Sequence, residues 1–113
     1  MRPSPFEWHI MSLYYLQKFI YDLNRDPRKR EQFESDLEGL LSEYVLDDEE
    51  LEALKAPDIG KLYVLGVNGQ LLMHYAAMHK YEWPEYMEAM REGVRQYGPV
   101  RAGLYAMVGD LNE

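Results

Sequence analysis

The chain has 113 residues, 12 Lys and Arg against 20 Asp and Glu, a formal net charge of -8, and no cysteine. Such a length makes one domain with one modest core, while the missing thiols exclude disulfides and thiolate metal sites and point to a cytoplasmic setting. Hydrophobic residues at 47% and charged residues at 28% describe a folded soluble protein, and the acidity repels phosphate backbones, so no nucleic-acid partner is expected.

The opening MRPSPFEWHI has no basic region followed by an unbroken apolar stretch, so an export signal is not expected. It reads instead as a helix start, with Ser4 as cap, Pro5 at the first helical position and Glu7 completing a capping box. Ile10, Leu13, Tyr14, Ile20 and Leu23 recur at helical spacing to about Asn24, which predicts a long amphipathic helix. Asp26 and Pro27 cap and open the next one, and the cluster Arg25, Arg28, Lys29 and Arg30 is its solvated start. Phe33, Leu37, Leu40, Leu41 and Tyr44 then form an apolar stripe beneath an acidic face. From Glu31 to Asp58 eleven acidic residues stand against the single Lys55.

Asp47 and Glu50 make a further cap pair ahead of Leu51 and Leu54, and Pro57 opens a short helix towards Leu65. Pro84 starts another helix, which carries Met87, Met90 and Val94. No alternating apolar run flanks a hairpin signal. The expected fold is therefore all-α, a single compact domain of six to eight short helices over residues 1–96. A punctuated C-terminal tail follows over residues 97–113.

Between Lys61 and Lys80 the chain reads LYVLGVNGQLLMHYAAMH, 18 residues without a formal charge. Its glycines, Asn68, Gln70, His74 and His79 do not suit a membrane span. It is expected to be a buried helix, with Gly66 and Gly69 permitting a bend or close approach and Leu71, Leu72, Tyr75 and Met78 facing the core. Two histidines and a carboxylate would suit an open iron site. Yet His74 and His79 are five apart, about 140° around a helix, unlike the four-apart pair of a helical zinc motif. No metal is expected on this chain, and no nucleophile motif, phosphate loop or dinucleotide fingerprint is present. Ten tyrosines and two tryptophans exceed what a small core readily satisfies, and Tyr81, Trp83 and Tyr86 bracket the end of the uncharged run. Such aromatic density suits an interface or a pocket for a planar ligand.

LQKFIYDLNRDPRKREQF, then LDDEELEALKAPDIGKLYVLGVN, then a helix and an aromatic residue, follow one another from Tyr15 to about Glu92. In that order they resemble the small (alpha) subunit family of two-component extradiol ring-cleavage dioxygenases, as in the protocatechuate 4,5-dioxygenase alpha subunit. Gly66-Val67-Asn68 stands where the family opens its central helix with Gly-Gly-Asn. Gln70-Leu71 replaces an aromatic pair, and His74 replaces a common lysine. The resemblance implies an accessory subunit that forms a lid over a catalytic beta subunit, which holds the Fe(II) and opens a catechol-, protocatechuate- or aminophenol-like ring. It implies that Trp83 is the substrate-proximal aromatic, with Tyr81, Tyr86 and His74 as neighbours and Gly66 and Asn68 as the motif. Members of this helical family also serve as recognition parts of peptide-modifying systems. A non-catalytic binding module, with the tail from Gly98 to Glu113 as the presented peptide, is the alternative.

Overall fold

The computed structural model describes residues 5–101, with side chains from Leu13 onward. Seven helices and no strand occur among them. The expected Ser4 cap and the Glu7 side chain lie outside the described residues.

Helix α1 (Pro5–Arg25) buries Leu13, Leu16, Phe19, Ile20 and Leu23, the three- and four-residue spacing of a single helical face. Tyr14, expected on that face, is instead 55% exposed, because it sits one residue beyond Leu13 and so about 100° away. Asp26 accepts from the Arg28 N–H at 2.9 Å and opens α2 (Pro27–Ser35), as the Asp-Pro pair predicts. The apolar stripe from Phe33 to Tyr44 is carried by two helices, since Asp36 is non-helical and accepts from the Gly39 N–H at 3.1 Å to cap α3 (Leu37–Leu41). Tyr44 ends that stripe in the core, its ring edge-on to Phe19 at 5.2 Å and its hydroxyl donating to Asp22 at 2.7 Å.

Helix α4 (Asp48–Lys55) starts with the expected reciprocal box: Asp47 accepts from the Glu50 N–H at 2.7 Å, and Glu50 accepts from the Asp47 N–H at 2.9 Å. The next helix, α5 (Ile59–Leu65), opens at Asp58 rather than at Pro57, because the Asp58 carboxylate takes the Lys61 N–H at 3.0 Å.

The uncharged run is not one helix. Helix α5 ends at Leu65 because Gly66 adopts a left-handed φ of 113°, which costs a glycine little and an L side chain more. Asn68 then accepts from the Gln70 and Leu71 N–H groups at 2.9 and 3.2 Å and starts α6 (Gly69–Met78). The Asn68 N–H in turn donates to Gln17 at 2.8 Å, so the corner is pinned to α1. Leu72, Tyr75 and Ala76 face the core, and the Tyr75 hydroxyl donates to the Leu54 carbonyl at 2.9 Å. Burial raises the pKa of that hydroxyl, which keeps it neutral.

The last helix, α7 (Trp83–Tyr97), lies against α5 at a glycine contact. A Cβ on Gly60 would fall 2.7 Å from the Gly93 Cα and 2.5 Å from the Ala89 carbonyl oxygen, and one on Gly93 would collide with the Gly60 backbone. The sequence points to Gly66 and Gly69 for close approach; the backbones meet at Gly60 and Gly93.

Gly93→Ala should therefore push α7 off α5 and cost roughly 1–3 kcal/mol, the usual effect of overpacking. Urea unfolding followed by circular dichroism checks this, and an unchanged midpoint would refute the contact.

Candidate functional site

A groove of about 390 Å³ opens where the starts of α6 and α7 meet, lined by Tyr63, Gly69, Gln70, Met73, Trp83, Tyr86 and Met90. Its geometry follows from the first turn of α7. The Glu82 N–H donates to the Glu85 carboxylate at 3.2 Å, and Pro84 stands in the first turn, where its missing donor costs nothing. Trp83 is thereby fixed as the first helical residue, with 60% of its surface exposed.

Three residues on, Tyr86 is buried and donates its hydroxyl to the Gly69 carbonyl at 2.7 Å, an acceptor in the first turn of α6. Burial raises its pKa. The two rings lie 5.7 Å apart, tilted by 40°. Tyr86 is thus the floor that positions Trp83, its one hydroxyl already used. Apolar and thioether surface dominates the groove, none of the described residues lining it is formally charged, and Gln70 brings the side-chain amide.

Of the four side chains expected near a substrate, the fold brings Trp83 and Tyr86 together. His74 is exposed and lines an adjoining hollow of about 340 Å³ with Tyr21, Asn24, Arg25, Asn68, Gln70 and Leu71; Gln70 borders both. Tyr81 is half-buried and lines a third hollow beside Pro57, Gly60 and Gly93. Gly66 and Asn68 form the α5–α6 corner, where Gly66 ends one helix and Asn68 caps the other. Tyr63, Met73 and Met90 were not singled out for this groove by the sequence. Met90 lies seven residues beyond Trp83, two helical turns along one face, and that spacing was available.

A further hollow of about 530 Å³ runs along α1 and α6 past Leu13, Tyr14, Gln17, Lys18, Tyr21, Asn68 and Leu71. Tyr14 and Tyr21 are 55% and 44% exposed, and their seven-residue spacing places them on one face of α1.

The described residues contain no group of three or more His, Asp or Glu that could hold a metal ion. His79 is half-buried instead, 4.7 Å from the Tyr75 ring and 5.5 Å from Phe33, and its Nε2 has no hydrogen-bond partner among the described residues. Burial lowers its pKa below the ordinary 6.5, opposed by the nearby Glu34. No helix among the described residues is long and apolar enough to cross a membrane.

A family model described as LigA, the LigA subunit of the aromatic-ring-opening dioxygenase LigAB, matches residues 16–97. No curated protein and no solved structure matched the chain.

The burial of neutral His79 sets a pH dependence. Well above pH 6.5 the ring is neutral both folded and unfolded, but as pH falls through 6.5 the unfolded chain takes the proton first and folding loses stability. Melting temperatures between pH 7.5 and 5.5 should fall more steeply for the native chain than for His79→Leu; parallel curves would show that His79 is not the group responsible.

Proposed function

We propose that this chain, which belongs to the LigA-subunit family of aromatic-ring-opening dioxygenases, is the accessory alpha subunit of a two-component extradiol enzyme. The Fe(II) and the ring-opening chemistry are assigned to a catalytic beta subunit, in a cytoplasmic complex without nucleic acid or membrane. The substrate is a catechol-, protocatechuate- or aminophenol-like ring. This chain supplies a lid: it covers the mouth of the partner's site, excludes water and holds the ring plane.

One observation carries the proposal. Trp83 is the most exposed of the large hydrophobic side chains described, yet it stands on a braced helix start, its ring 5.7 Å from that of the buried Tyr86. A solvated indole on a rigid base is poised to pack on another surface, and a planar ring against it gains roughly 0.5–1.5 kcal/mol beyond the area buried. The bond from Tyr86 to Gly69 keeps that base from moving when a ring arrives. With no charged group among the described residues of the groove, the charged substituents of a substrate face the partner, and the apolar edge of the ring faces this chain.

In the reconstituted pair, Trp83→Ala should lower kcat/KM about tenfold or more, since each 1.4 kcal/mol is a factor of ten. The domain should stay folded and associated by circular dichroism and gel filtration. If the variant melts the isolated chain and spares the kinetics, Trp83 is a packing residue and the lid assignment fails.

A second function is favoured by a different observation: the chain is secured to the helical body at Arg101 by an ion pair with Glu49. An anchored exit suits a recognition module that presents its tail, from Gly98 onward, to a peptide-modifying enzyme. Intact-mass analysis of the chain from its native cell separates the two. The dioxygenase subunit predicts the unmodified mass, whereas added mass mapped to residues 98–113 would favour the peptide carrier.

A further inference from the structure

Outside the Trp83 groove, charged and aromatic groups converge where the chain leaves α7. Arg101 grips Glu49 with both ends of its guanidinium, at 2.6 and 3.2 Å, and Lys61 binds the same carboxylate at 2.8 Å. The hydrogen bonds from Arg101 and Lys61 hold the Glu49 carboxyl down to about 2. Lys61 lies 4.4 Å over the Tyr97 ring, and the Tyr97 hydroxyl donates to Asp58 at 2.6 Å. The end of α7 and the starts of α4 and α5 are thus joined by one set of polar contacts.

The backbone is engaged as well. The Arg101 N–H donates to the Val64 carbonyl at 2.8 Å, one of the last-turn acceptors that a helix cannot satisfy internally. A Cβ at Gly66 would lie 3.3 Å from a Leu13 methyl and 4.0 Å from the Arg101 carbonyl oxygen, so Arg101 is held at the glycine that ends α5.

Between this anchor and α7 lies a pivot. Gly98 has a φ of 93° with no atom of the described residues within 4 Å of where a Cβ would be, and Pro99 and Val100 are exposed. Glu49 and Arg101 are each about two-fifths exposed, so ions reach the pair and weaken it.

We propose that the Glu49–Arg101 pair is a releasable strap. Closed, it holds Arg101 against the end of α5, beside Val64 and Gly66; open, it frees residues 99–101 to pivot from Gly98. The strap rests on contacts within this chain and stands whichever function holds.

Trypsin reads the two states, because its specificity pocket must take the guanidinium that the closed strap occupies. Cleavage after Arg101 in the full chain is followed by mass spectrometry, with a synthetic peptide of residues 97–107 in the same tube as reference. Cleavage tracks the open population, so Glu49→Gln should be cut there at least about tenfold faster than the native chain, relative to the peptide. Raising NaCl to about 0.5 M should speed the native chain towards the variant and leave the variant unchanged. Equal rates in the native chain and variant would overturn the strap. If the substitution loosens the whole fold, cleavage also rises within α7 at Arg91, and the salt response of the native chain then decides: acceleration supports the strap and none overturns it.

Discussion

The structure depends on the backbone contact between Gly60 and Gly93. Two helices can approach this closely only where neither carries a side chain at the crossing, and here both partners are glycine. The crossing fixes α7 against α5, and the hydrogen bond from Tyr86 to Gly69 fixes the start of α7 against α6. The placement of Trp83 follows from those two contacts. A bulkier residue at either glycine would move the groove as well as weaken the core.

The α5–α6 corner is the second constraint. Gly66 supplies the left-handed residue that ends α5, Val67 is buried between the helices, and Asn68 caps α6 while its own N–H is held by Gln17. Glycine and asparagine are the residues such a corner calls for. Valine can stand at the middle position because the left-handed geometry falls on Gly66 alone.

Much of the fold was legible because its signals are local. Asp26-Pro27 and the Asp47/Glu50 box announce helix starts that form where expected. The uncharged run was harder: composition alone predicts one buried helix, and only the combination of a left-handed glycine with an asparagine cap two residues later splits it. The Gly60–Gly93 contact joins residues 33 positions apart in the chain, so no local pattern announces it. The same limit applies to the groove. Trp83 and Tyr86 share a helix and were found together, while Tyr63 and Met73 arrive from other helices through tertiary packing. Tyr81, near Trp83 in sequence, faces a different hollow because the α6–α7 turn, with Lys80 at a φ of 67°, separates them.

The proposed lid requires that Trp83 be solvated in the free chain and covered in the working complex, and one measurement addresses this directly. A Trp8→Phe chain labelled with 5-fluorotryptophan reports on Trp83 alone, and the solvent isotope shift of its fluorine resonance is a measure of water contact. The account predicts a full shift in the free chain that is largely lost when the catalytic subunit and an aromatic ring substrate are both present. A shift that survives unchanged in the active complex would contradict it.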